Sequence, residues 1–349
     1  MKNKKLKTSL IVFIIILILV LCFNVVVYAA YALAATDVSY TKSNGSTVSV
    51  KAALDELYAT QPLAKAVSVG DYVAYDAGTH SYTSPTGTGS LHGNGKGDQT
   101  FTSSSSLKWR VLGWDDETGG VMLISEAPIG TFTIRSGVGY LYAEQELNEI
   151  CKIYGYGTGA NTSKKFNYVT GDIIEGTTVG TITGSGARSI NVDDVNKICG
   201  VTPSTALDSN YGKAPYTKSI YYPTTSTSTG YSTSATSRTD VYTYYSYTAS
   251  DYLSNTTETY KMLVRNTANS SNITYWLASR CVNPGSGGSY FYVRSVSSGS
   301  MTDYCVGGGF SSSFSVFSNS RGVRPIVYLK SSIQTNGKNS SGAWNIIDK

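Results

Sequence analysis

The chain has 349 residues, of which 15% are charged, with 35 glycines and 28 tyrosines against 9 phenylalanines. That balance suits a surface-rich β architecture in which tyrosine sits half buried with its hydroxyl in water. Lys2, Lys4, Lys5 and Lys7 supply four of the net +5 charges, so the rest has no concentrated basic face and nucleic acid is excluded as a partner.

Those lysines precede an unbroken apolar run over residues 10–23 and a softer one over 25–35, the pattern of an export leader. Ala32-Leu33-Ala34 offers a small-x-small cleavage site, and the whole stretch is also long enough to span a bilayer. Residues 1–35 are therefore either a signal peptide or an uncleaved transmembrane helix with the lysines cytoplasmic. Both readings place the body of the chain at the cell surface, membrane-anchored or secreted. The bulky Leu21 before Cys22 argues against lipoprotein processing.

Residues 36–66 read as a linker with a short helix over 48–58, capped by Ser49, and residues 67–349 as the ectodomain. Residues 67–75 predict a strand with a Gly70-Asp71 turn, and 77–106 a Gly/Ser/Thr-rich loop holding both histidines, His80 and His92. Residues 93–97 lack the first glycine and the final Ser/Thr of a phosphate loop. Residues 107–114 and 120–125 predict a hairpin around Asp115–Gly119. Helical spacing of Leu141, Leu147, Ile150, Cys151 and Tyr154 predicts a helix over 140–154, stopped by Gly155. A second helix fits 192–199, capped by Asn191 and ended by Gly200, with Asp193 and Asp194 complementing its dipole. Residues 202–257 read as a long Thr/Ser/Tyr-rich excursion with one or two irregular strands. Residues 275–279 and 322–329 read as framework strands bracketing a Ser, Gly, Tyr and Phe segment, 285–321, that has no Lys, Glu or Gln.

Four cysteines follow the leader, and an exported chain with an even number suggests disulfides. Cys281 and Cys305 flank one hairpin, and Cys151 and Cys199 each end a short helix, so these are the preferred pairs, with free thiols as the alternative. No GxSxG or HExxH occurs, and two loop histidines build no triad. The residues point to a binding protein rather than an enzyme, with no metal and no cofactor.

At Tyr275-Trp276-Leu277-Ala278-Ser279, Tyr290-Phe291-Tyr292-Val293 and Gly322-Val323-Arg324-Pro325, the chain resembles exported C-type-lectin-like domains of gut bacteria. Gly70-Asp71-Tyr72-Val73, Trp109-Arg110-Val111-Leu112 and Asp193-Asp194-Val195 extend the resemblance over residues 67–335. It implies an α+β fold, a C-type-lectin-like domain with an antiparallel sheet, two packed helices and long ligand-presenting loops. Retroelement-diversified receptor-binding proteins and formylglycine-generating enzymes share that fold, and the latter would recast Cys281 and Cys305 as a copper-binding thiol pair of an oxidase. The paired Glu-Pro-Asn and Trp-Asn-Asp sites of calcium-dependent lectins are missing; Asn283-Pro284 stands alone.

The expected ligand-binding face comprises Tyr290, Tyr292, Arg294, Tyr304, Phe310, Phe314, Phe317 and Asn319, with Phe291 and Val293 turned to the core. Its composition agrees with adenine-directed diversification and equally with a plain Ser/Gly-rich surface. The expected partner is an extracellular protein or glycan, with the membrane added where the leader is retained.

Overall fold

The structure, a computed structural model, describes residues 39–41, 45–50, 52, 60–84, 98–170, 178–200, 213–223, 235–242, 247–248, 256–265, 271–284, 289–310, 313–316 and 318–348. The chain divides into two units, Met1–Gln61 and Pro62–Lys349. In the first, Ser39–Thr41 and Thr47–Ser49 pair antiparallel where a plain linker was expected. Ser49 Oγ accepts from Ala52 N at 3.0 Å, as an N-cap does. Most of the helix expected over 48–58, and the leader, lie outside the described residues. Among the described residues, no helix is long and apolar enough to cross a membrane.

The second unit is α+β. In chain order its main elements are β1 (Tyr72–Val73), β2 (Trp109–Trp114), β3 (Val121–Ser125), β4 (Thr131–Arg135), α1 (Ser136–Lys152), β5 (Ala187–Ser189) and α2 (Val192–Cys199). There follow β6 (Tyr247–Thr248), α3 (Glu258–Val264), β7 (Tyr275–Pro284), β8 (Ser289–Ser297), β9 (Ser300–Phe310), β10 (Ser313–Val316), β11 (Ser318–Gly322) and β12 (Pro325–Tyr328). One sheet has the order β5-β12-β3-β2-β1 and is antiparallel throughout. The other has the order β6-β9-β8-β7-β11-β4, with β10 added to β9. Its one parallel contact sets Tyr275 beside Gly322, so the two framework strands are neighbours.

Alternation along the strands distributes the core. Trp109, Val111, Leu123, Val327, Trp276, Ala278, Phe291 and Val293 fall into one cluster with Tyr140, Leu147 and Ile150 of α1. Leu112, Met122, Ile124, Ile326, Tyr275, Leu277 and Val296 fall into a second with α2 and α3. Both clusters draw on both sheets, because neighbouring side chains on a strand point to opposite faces.

The hairpin β2–β3 closes as expected: Gly119, at φ +71°, donates to Asp115 O, and Asp115 N bonds Gly120 O. Helix α2 carries a capping box, Asn191 Oδ1 accepting from Asp194 N and Asp194 Oδ2 from Asn191 N, and ends on Gly200 at φ +66°. Asp194 also takes a two-pronged bond from Arg188 at 2.6 and 2.7 Å, so this acid is structural. Helix α3 was not foreseen, although Thr257 caps it and Glu258 opens its first turn. The loop expected over 77–106 contains an antiparallel ribbon, Ser81–Ser84 with Gln99–Thr102. Hydroxyl pairs Ser81 with Thr102 and Thr83 with Thr100, both at 2.9 Å, hold its outer face. The excursion over 202–257 includes the pair Lys213–Pro223 and Ala235–Tyr242, irregular between Lys213 and Lys218.

The Arg324 of the Val-Arg-Pro block is fully buried. Its guanidinium donates to Ser125 O (2.8 Å), Met262 O (2.5 Å) and Glu126 O (3.3 Å) and lies over the Tyr275 ring. A planar fork of donors can satisfy carbonyls from two directions at once, which explains an arginine at this depth. It ties β3 to α3.

Candidate functional site

The expected binding face is only partly assembled. On β8, Phe291 and Val293 are fully buried and Tyr290 is 36% exposed, with Tyr292 half-buried. Arg294 departs from the alternation: it is 1% exposed, a correction to its expected outward position. Both faces of the strand are covered here, so Arg294, Ser295 and Val296 are all buried in succession, and Val296, on the same face as Arg294, joins the second core cluster with α3. Asn319, on β11, is half-buried and stands across from Ile134. By register Tyr304 is opposite Val293, Phe310 opposite Ser313, and Phe314 opposite Gly309; Phe317 lies outside the described residues.

The expected Cys151–Cys199 disulfide is not formed. Cys151 and Cys199 are both free and buried, and they belong to different core clusters. Cys281 and Cys305 both stand opposite Tyr292, one from each side of β8. The side chains of Cys281 and Cys305 lie outside the described residues.

Elsewhere lies a cleft of about 420 Å³, lined by Tyr72, Tyr75, Trp109, Lys108 and Asp76 and by the turn that holds Asn339 and Ser341. Strand β1 and the start of β2 form its floor, where Trp109 and Tyr75 pack edge to face at 5.3 Å. One wall is the serine loop 104–106 ahead of β2, in which Ser104 and Ser106 share a 2.8 Å hydroxyl bond. The opposite wall comes from the far end of the unit. Trp344 N donates to Tyr72 O and Ala74 N to Trp344 O, both at 2.8 Å, so this segment lies alongside β1 like an added strand.

Charge and hydrogen bonds fix that wall. Asp71 accepts from Trp344 Nε1 at 3.0 Å and from Ser68 N at 2.9 Å, with Lys338 Nζ 3.5 Å away. Burial alone would raise the Asp71 carboxyl, but the Ser68 and Trp344 bonds and the Lys338 charge together hold it below its ordinary value. Lys338 also lies 5.0 Å over the Trp344 ring. Asn339 Oδ1 accepts three bonds, from Ser341 N, Ser341 Oγ and Ala343 N. Its side-chain oxygen is thus engaged within the turn, and the residue lines the cleft.

Beyond the floor, Tyr75 donates its hydroxyl to Tyr154 O at 2.6 Å and accepts from Gly157 N at 3.0 Å. Burial pushes that hydroxyl well above its ordinary pKa, so it stays a neutral hinge pin. The opening is within the size range of ligand pockets. Its lining offers ring edges, hydroxyls, an amide, and one charge of each sign.

Tyr72 and Trp109 stand in motifs visible in the sequence, Gly70-Asp71-Tyr72-Val73 and Trp109-Arg110-Val111-Leu112. Nothing local connects them to Asn339, Ser341 and Trp344, because that contact spans most of the chain. The available signal was the turn sequence Asn339-Ser340-Ser341-Gly342, with Gly342 at φ +82°. Among the described residues, no three His, Cys, Asp or Glu side chains are grouped to hold a metal ion. Compared with known proteins, the chain matches no family model, no curated protein and no solved structure.

Proposed function

We propose that the chain is an exported or membrane-anchored surface protein whose second unit is a metal-free ligand-binding or adhesion module of C-type-lectin-like fold. The observation that carries this reading is the Tyr72–Trp109 cleft, about 420 Å³ in volume and lined by aromatic rings, neutral polar groups and one charge of each sign. Such groups recognise a ligand by shape, ring contact and hydrogen bonding and supply no nucleophile with its base. The lysine-then-apolar leader supports surface display. The ligand is an extracellular protein or glycan, and the exposed Tyr290 adds a second aromatic contact on the other sheet.

The test is adhesion of cells that display the full chain to surfaces coated with host-tissue or microbial extracts, with Tyr72→Ala and Lys108→Ala as comparison variants. Adhesion that survives EDTA and falls at least fivefold in the variants is expected. Adhesion abolished by EDTA, or unchanged in both variants, would count against the reading. Protease treatment of intact cells should remove residues 36–349 while cytosolic markers stay protected.

A further inference from the structure

A second exposed ring surface is anchored on Tyr75. The same hydroxyl that pins the cleft floor holds the flanks of the tripeptide Gly155-Tyr156-Gly157, through Tyr154 O on one side and Gly157 N on the other. Neither glycine can carry a side chain: a Cβ on Gly155 would overlap Ser185 Oγ and the backbone at Ala187, and one on Gly157 would overlap Asp76 O. Tyr156 is thus a large ring clamped at both neighbours and still 40% exposed. His80 is exposed too and packs against it, ring centroids 4.6 Å apart. His80 is tied to Ser103, the residue before the serine loop, whose Oγ accepts from His80 N at 2.8 Å and whose N donates to His80 O at 2.8 Å. Asp76, a cleft residue, lies four positions before His80.

Resting on the binding reading above, we propose that the cleft and the Tyr156–His80 platform form one continuous groove for an extended, proline-rich peptide segment in the polyproline II conformation. Three features select this class. Rigid exposed rings accept pyrrolidine faces at little entropic cost. The Asn339 amide and Lys108 ammonium are donors, and a proline-rich strand presents carbonyls with few N–H groups of its own. The single acid and single base leave no net charge to favour a charged ligand. Saccharides, which need acceptors as much as donors, become the other arm of the test.

The full chain, held in a detergent without a sugar headgroup, is titrated by fluorescence polarisation with labelled decaproline. A Gly/Ser decapeptide is the control, and hexasaccharides of glucose, N-acetylglucosamine and mannose are competitors. Saturable binding of decaproline alone is expected. Tyr156→Ala should weaken it about five- to tenfold, and Tyr156→Phe should not. Asn339→Asp keeps an oxygen for the three accepted bonds of the turn and replaces the NH₂ donor with a charged acceptor that repels the peptide's carbonyls, and should weaken binding about fivefold. Circular dichroism should be unchanged in all three.

Failure of decaproline to saturate, or equal binding by Tyr156→Ala and Asn339→Asp, overturns the peptide assignment. If decaproline fails while a hexasaccharide binds or cells still adhere, the ligand class is wrong and the binding module stands. If the chain also fails to adhere to any coated surface, both readings fall.

Discussion

Asp71 and Trp344, 273 positions apart in the chain, are joined by a 3.0 Å hydrogen bond from indole Nε1 to carboxylate Oδ2. Because Asp71 immediately precedes β1 and Trp344 lies beside that strand, this bond helps hold the cleft's far wall in place. The folded carboxyl titrates below its ordinary value of 3.8. Its contribution is therefore complete above that value and is lost as the pH falls through the folded pKa. Asp71 is partly exposed, so Asp71→Asn should cost only about 1 kcal/mol at neutral pH. The variant should also flatten the stability profile between about pH 4 and pH 2. Urea titrations across that range check it; an unchanged acid slope would show that Asp71 is not coupled to folding.

Gly157→Ala should destabilise the second unit by about 2 kcal/mol or more, because the added methyl overlaps Asp76 O and meets the Tyr75 ring at 2.8 Å. Gly184→Ala is the matched control. It has φ +72° and nothing within 4 Å of its Cβ, so only backbone strain of about 1 kcal/mol applies. Thermal melts of the two variants should rank in that order.

Arg324→Leu removes the donor from three buried carbonyls and should cost roughly 3–5 kcal/mol. Arg324→Lys should recover little of it, since one ammonium cannot serve Ser125, Met262 and Glu126 together. Chemical denaturation of both variants decides whether the fork or the charge matters.

Burial pushes the Cys199 thiol up to about 12 and the Cys151 thiol higher still. At pH 8 neither should react with iodoacetamide in the native protein, and both should react in denaturant. Peptide mapping after native alkylation reads this directly, and rapid labelling of Cys151 would contradict its place in the core.

Local chemistry made several elements legible from the sequence. Asn191, Asp194 and Gly200 delimit α2 because caps act within a few residues. The β2–β3 hairpin was visible because its turn residues and apolar runs are adjacent. The Ser81–Ser84 ribbon was hidden by polar outer positions, although Tyr82 and Phe101 alternate with them. Arg294 was misplaced because strand alternation reports one sheet and not the second core cluster, which takes Val296 from the same face. The cleft was least legible, since Trp109 and Asn339 meet only through the fold.

The run Tyr275-Trp276-Leu277-Ala278 feeds the two core clusters by turns, Trp276 and Ala278 into one and Tyr275 and Leu277 into the other. A strand shared in this way acts as a common hinge-plate. Loosening it opens both interiors at once, and neither layer has an apolar face that can stay closed alone. The unit Pro62–Lys349 should therefore melt cooperatively, as a single calorimetric transition, despite its length.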